Sequence, residues 1–185
     1  LARGKNEDEN ADAFPEKGSS AEVQDFIQRQ LDKKMSAEKQ GKDMGPLRHD
    51  SKGVRVTLAA SSFFPSGSYK IKRGSLETLN EIAEVLSKTN RRIIIEGHTD
   101  STPLNEASSA EQGVEGDNQG SAVATNWELA SLRATSVVRY LIQVYKINPS
   151  RLAAISYADQ KPVAENTTAE GRAKNRRIEI LIEGE

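Results

Sequence analysis

The sequence predicts an α/β sandwich of the α+β kind, with helices packed on one mixed β-sheet. Three observations predict it. Short alternating or β-branched runs recur along the chain: "GVRVTLAA", "RRIIIEG" and "RRIEILIEGE". Between them lie longer stretches whose apolar residues repeat at helical spacing, such as "NWELASLRATSVVRYLIQVY". From about residue 46 onward the two kinds of segment alternate as β-α-β-α-β-α-β, the pattern of a sheet covered by helices.

The elements follow in order. Residues 1–20 read "LARGKNEDENADAFPEKGSS" and offer almost nothing to bury, so they are expected to be a flexible linker. Val23, Phe26, Ile27, Gln30 and Leu31 then form a narrow apolar stripe, with Ser20 in position to cap, which predicts a helix around 21–40. So thin a stripe suits packing on a domain edge or a partner. Residues 1–45 are therefore read as a linker with one helix, and 46–185 as the domain. Within it, Val54, Val56 and Leu58 share one face of a first strand. "SSFFPSGSY" is a turn-rich loop, and Leu76, Leu79, Ile82, Ala83 and Leu86 are the apolar face of the next helix.

"IIIEG" is a β-branched run of the kind found in buried strands. After a long loop, Trp127, Ala130, Ala134, Val137, Val138 and Leu141 mark the buried face of a long helix. "TNWE" at its start fits a capping box with Thr125 as the cap, although Asn126 could serve instead. Pro149 ends the helix, since proline removes a donor and restricts the residue before it. "RLAAISYAD" is a weaker strand and "TTAEGRAKN" a short helix. The closing strand puts Ile178, Ile180 and Ile182 on one face.

Composition narrows the function. Hydrophobic residues make up 36% and charged residues 29%, with a formal net charge of -1. That balance argues against general attraction to nucleic acid or an anionic membrane. There is no cysteine, which excludes disulfides and thiolate metal sites. No run approaches the roughly 18 apolar residues of a membrane span. Catalytic signatures are absent from the sequence: no phosphate-binding loop, no dinucleotide glycine pattern, no Ser-His-Asp arrangement. The two histidines, His49 and His98, have no second His or Cys at metal spacing, so no cofactor, metal or enzymatic role is expected.

Four places remain for a binding site. Thr99 and Asp100 follow a strand end, where ligands commonly sit, but Asp100 equally suits a turn cap ahead of Pro103. Leu129 and Arg133 lie four apart at the border of the long helix's stripe. Arg133 there either reaches over the sheet edge or, the more ordinary outcome, lies solvated on the surface. The first turn of that helix favours an anionic group, by its free N–H groups and dipole, or simply its own cap. Arg176 and Arg177 enter the last strand on opposite sides, so one faces a pocket or both are solvated.

Taken together, "IIIEGHTDSTP", "NWELASLRATSVVRYL" and "INPSRLAAISYADQKPVAENTTAEGRAKNRRIEI" closely resemble the OmpA-like peptidoglycan-binding domain. The likeness runs from about Val54 to Glu183, and Asn126, Leu129, Arg133, Ala134 and Asn175 to Ile180 fit the family pattern in order. Trp127 and the closing segment lean toward its flagellar stator branch, the MotB type and its sodium-type relatives; the alternative is a cell-wall anchor of another envelope complex, a secretion system or an outer-membrane lipoprotein. Ala130 stands where the family usually has Ser, and an insertion from Asn105 to Thr125 lies beside the expected pocket, where it would cover, tune or block it.

The resemblance implies a non-catalytic domain that binds the diaminopimelate of the peptidoglycan stem. The free end of that residue carries an ammonium and a carboxylate on one carbon, which a carboxylate and a guanidinium fork can hold. Asp100 and Arg133 would be this central pair, Thr99, Asn126 and Leu129 would line the pocket, and Arg176 or Arg177 would add a second contact. This reverses the solvated reading of Arg133. The resemblance also implies a homodimer with a multi-span partner subunit of the MotA type. It places the domain in the periplasm, behind a single inner-membrane helix upstream of Leu1.

Overall fold

The computed structural model of the protein describes residues 12–104 and 123–185. Of the linker read over 1–20, residues 1–11 lie outside those residues, as does most of the Asn105–Thr125 insertion read as covering, tuning or blocking the pocket; residues 12–20 correct that reading, because Phe14 is buried in the core. The elements are α1 (Ser20–Lys34), α2 (Ala37–Asp43), β1 (Arg48–Asp50), β2 (Gly53–Ala59) and the single turn α3 (Ala60–Phe63). They continue with α4 (Leu76–Ser87), β3 (Ile93–His98), α5 (Asn126–Tyr145), β4 (Leu152–Ala158), α6 (Ala169–Asn175) and β5 (Arg177–Glu183).

The five strands form one sheet in the order β1-β2-β5-β3-β4, with β3 and β4 parallel and the other pairs antiparallel. The predicted α/β class and mixed sheet are thus the observed ones. Register explains the core. Val56 pairs with Ile180, which pairs with Ile95; Val54, Ile182 and Ile93 form the next row. Every one of these six side chains is at most 1% exposed. α1, α4 and α5 bury Phe26, Leu79, Ile82, Ala134, Val137 and Leu141 in the same cluster.

The third row, Leu58, Ile178 and Gly97, ends in glycine for a reason. A Cβ at Gly97 would lie 2.1 Å from the Ala130 carbonyl oxygen, so only glycine lets α5 approach β3 this closely. That approach sets the long helix directly beside the strand end that carries Asp100.

Expectations for two segments need correction. The helix drawn over 21–40 is two helices, broken at Met35–Ser36, with capping hydroxyls at Ser19 and Ser36. Nor is α1 an edge element. Val23, Phe26, Ile27 and Leu31 are at most 1% exposed, and Phe14 packs edge-on against Phe26 with ring centroids 5.3 Å apart. Burying four such side chains stabilises by on the order of 6–12 kcal/mol, an upper bound because the unfolded chain already hides part of them. A stripe that is narrow by count is still sufficient when every member reaches the core.

Trp127 is the second correction: it is 50% exposed rather than buried. Ala130 already lies over Gly97, the next-to-last residue of β3. The preceding turn of α5 therefore runs beyond that strand. The buried face is instead Leu129, Ala130, Arg133, Ala134, Val137 and Leu141. α5 begins with the capping box that "TNWE" suggests, the Thr125 hydroxyl accepting from the Trp127 N–H at 3.1 Å.

Candidate functional site

Antiparallel pairing of His98 with Arg177 brings the exit of β3 and the entry of β5 together, so Asp100 and Arg176 meet. Asp100 Oδ2 lies 2.5 Å from Arg176 Nη1, and Asp100 Oδ1 accepts the Thr102 N–H at 2.8 Å. Asp100 thus closes a local turn and lines a crevice at once; the two readings of the sequence were not exclusive. Thr99 is buried and donates to the Asp100 carbonyl at 2.9 Å. Asn126 Nδ2 donates to the Thr102 carbonyl at 3.0 Å, tying the start of α5 to the same loop.

Burial by itself would raise the pKa of Asp100. The Arg176 guanidinium and hydrogen bonds from Thr102 outweigh it and hold the carboxyl below its ordinary value.

Arg133 is 5% exposed, not solvated. Its Nε donates to the Ser68 carbonyl at 2.8 Å and its Nη2 to the Pro65 carbonyl at 3.2 Å. The guanidinium carbon sits 5.2 Å from the centre of the Phe64 ring. Among the described residues no carboxylate lies within ion-pair distance of it. Burial, reinforced by the positive charge of Arg176 and opposed by Asp100, lowers its pKa to about 10. At neutral pH it is still a cation.

These residues share a cavity of about 540 Å³ that Thr99, Asp100, Asn126, Arg133 and Arg176 line. Leu129 is buried at 4% but is not among the lining residues. Arg177 is also not there: it points to the opposite sheet face, where Nε donates to Glu179 Oε1 at 3.1 Å and Nη2 to the Lys161 carbonyl at 2.9 Å. Asp100 and Arg133 open on one cavity without being each other's ion-pair partner.

Several lining residues carried no signal in the sequence: Phe64, Lys72 and Arg172 come from the loop before α4 and from α6. Asn175 holds that region. Fully buried, it accepts from the Val163 and Ala164 N–H groups at 2.8 and 3.0 Å and donates to the Ala164 carbonyl. Its role in "NRR" is to pin the loop at 163–166, whose Asn166 carbonyl accepts from Arg172 Nη1.

A second cluster lies across the sheet. Glu96, His98 and Glu179 offer ligand atoms within 4.8 Å of one another, a grouping that sequence spacing hid because Glu179 comes from β5. Glu96 and Glu179 are direct cross-strand neighbours, a costly juxtaposition of like charges. Arg55 Nη1 resolves it, 2.9 Å from Glu96 Oε2 and 3.1 Å from Glu179 Oε2. Both carboxylates of the group are thus already engaged by a cation, the Arg55 guanidinium.

No helix among the described residues is long and apolar enough to cross a membrane. The chain is 37% identical over 133 residues to Motility protein B of Bacillus subtilis (strain 168), covering 71% of this chain and 46% of that protein. It therefore spans about half the length of that relative. The cell wall anchor of the T6SS from Pseudomonas aeruginosa superposes with a TM-score of 0.68 at 26% identity, over 86% of this chain and 97% of that one. The periplasmic domain of Helicobacter pylori MotB does so with a TM-score of 0.61 at 29% identity, over 75% and 81%. The sequence pattern of the OmpA family matches residues 63–176, more than half of the chain, and the protein belongs to that family.

Proposed function

We propose that this domain is a non-catalytic anchor that binds peptidoglycan through the free end of diaminopimelate in the peptide stem. One observation carries the reading: Arg133 is a buried cation that opens on the same cavity as Asp100, with no carboxylate within ion-pair distance of it among the described residues. Two nitrogens of its guanidinium, Nε and Nη2, donate to backbone carbonyls, which fixes the orientation and leaves the remaining N–H groups for a ligand carboxylate. Asp100 keeps lone pairs beyond those that Arg176 and Thr102 use, and these take the ligand ammonium. Each ligand charge loses water on entering, so individual binding is weak and reversible.

In its full-length setting the domain fixes a flagellar stator to the wall. It does so as a periplasmic homodimer, joined through one inner-membrane helix to a multi-span subunit of the MotA type. The likeness to Motility protein B supports this reading. A second reading, an anchor for a secretion system, is supported by the superposition on the Pseudomonas aeruginosa cell wall anchor at a TM-score of 0.68.

Sedimentation with purified sacculi tests the anchor. The protein co-sediments and releases no soluble wall fragments, while Asp100→Ala and Arg133→Ala stay in the supernatant with unchanged circular dichroism. Co-sedimentation of both variants overturns the site, and release of fragments overturns the non-catalytic assignment. Deleting the gene separates the two settings: intact filaments that do not rotate support the stator, and normal swimming favours the secretion anchor.

A further inference from the structure

The cavity beside Asp100 holds more positive charge than one zwitterionic ligand end can balance. Lys72, Arg133, Arg172 and Arg176 line it, against Asp100 as the carboxylate. Asp100 is already paired with Arg176. Lys72 Nζ donates to the Ser61 carbonyl at 2.6 Å, and Arg172 Nη1 to the Asn166 carbonyl at 2.9 Å. Neither has a carboxylate within ion-pair distance among the described residues. A diaminopimelate end offers one ammonium and one carboxylate, which satisfies Asp100 and Arg133 and leaves Lys72 and Arg172 uncompensated. The surplus is local, since the whole chain carries a net charge of -1.

We propose that Lys72 and Arg172 form an outer anion subsite of this cavity and that it takes a second carboxylate of the stem peptide. The domain therefore selects acidic stems over amidated ones. This inference rests on the peptidoglycan reading and adds a chemical preference to it. Position agrees with the role. Lys72 is exposed and Arg172 half-buried, so both stand toward the mouth, outside the buried Arg133. Arg172 is steadied from α6, where Gly171 packs so closely that a Cβ would lie 1.9 Å from the Glu165 carbonyl oxygen. Two stem carboxylates have the required chemistry: the α-carboxylate that a γ-linked D-glutamate leaves free, and the carboxylate that ends the peptide.

The test is calorimetric titration with synthetic L-Ala-γ-D-Glu-meso-diaminopimelate. It is compared with the same tripeptide amidated at the glutamate α-carboxyl, at the stem-end carboxyl, or at both. Amidation of the carboxylate that occupies the subsite weakens binding roughly twofold to fivefold per lost contact, the range for exposed ion pairs. Which single amide does so identifies the source. Lys72→Gln combined with Arg172→Gln weakens binding of the free peptide by a similar factor and brings the ratio of free to amidated affinity to about one. Lys72→Gln alone, at an exposed position, gives part of the loss with no risk to folding.

Equal affinity of the unsubstituted protein for free and doubly amidated peptide overturns the subsite while leaving the underlying site standing. Undiminished discrimination by the double variant does the same. No binding of any tripeptide by the unsubstituted protein overturns the peptidoglycan reading, and the subsite with it.

Discussion

Asp100 pairs with Arg176 rather than with Arg133, its Oδ2 lying 2.5 Å from Arg176 Nη1. The pair is set by register, because His98 and Arg177 are partners one step inside the sheet. Arg176 therefore acts on the site by keeping Asp100 ionised. In the folded protein the Asp100 pKa lies below its usual 3.8. The stability it contributes is present above that value and is lost as pH falls through the depressed one.

Arg176→Ala removes the cation but not the burial that favours the neutral acid. The Asp100 pKa should rise, and a carbon-detected NMR titration of its carboxyl reads it directly. Because Arg176 is 38% exposed, the cost in stability is no more than about 1 kcal/mol. An unchanged Asp100 titration in the variant refutes the assignment of the pair.

Arg133 presents the opposite case, a buried charge kept without an internal counter-ion. Replacing such a cation by an apolar residue of similar length is often neutral for folding. Arg133→Met, however, also leaves the Ser68 and Pro65 carbonyls without their donor, so it is expected to cost about 1–3 kcal/mol while abolishing sedimentation with sacculi. Urea denaturation and the sacculus assay together check this. A large loss of stability would make Arg133 a structural residue first.

The core was readable because alternation and 3.6-residue spacing are local properties: Val54, Val56, Leu58 and Ile178, Ile180, Ile182 all face inward. Asp100 was readable as a strand end, and Arg176 and Arg177 as a split pair. Which of those two faces the cavity was not, since that depends on the face α5 covers. Lys72 and Arg172 enter the site from elements distant in sequence, and no periodicity marks them. Trp127 follows the helical repeat yet lies outside, because β3 ends beneath Ala130. Periodicity reports the face of a helix and says nothing of where the surface beneath it stops.

α1 supplies another prediction. Removing residues 1–45 takes away Phe14, Val23, Phe26, Ile27, Leu31 and Met35 from the core. It also removes Glu16, which caps the loop before β3 by accepting the Asn90 N–H at 2.7 Å and the Thr89 hydroxyl at 3.0 Å. Domains of this size have roughly 5–15 kcal/mol of stability in all. A chain beginning at Pro46 should fail to unfold cooperatively and should bind a hydrophobic dye. Phe26→Ala in the full chain should cost about 3–5 kcal/mol. A sharp melt from the shortened chain would show that α1 is dispensable.

The cluster across the sheet should make stability pH-dependent through His98. Its ring is 2% exposed and stacks on Tyr157 with centroids 5.3 Å apart. Neither ring nitrogen has a hydrogen-bond partner among the described residues, and the closest carboxylate oxygen, Glu96 Oε2, is 3.5 Å from Nε2. Burial pushes the His98 pKa below its ordinary 6.5, aided by the Arg177 charge and opposed by Glu96 and Glu179. The unfolded chain therefore takes up a proton at a higher pH than the folded one, and stability falls as pH drops below 6.5 toward the depressed value. The melting temperature should decline between pH 7 and pH 5. His98→Phe, which keeps the stacking without the titrating nitrogens, should remove most of that decline. Glu96, Glu179 and Asp100 all have lowered pKa values and lose their contributions only in more acidic solution. An identical decline in the variant would transfer the effect from His98 to another group.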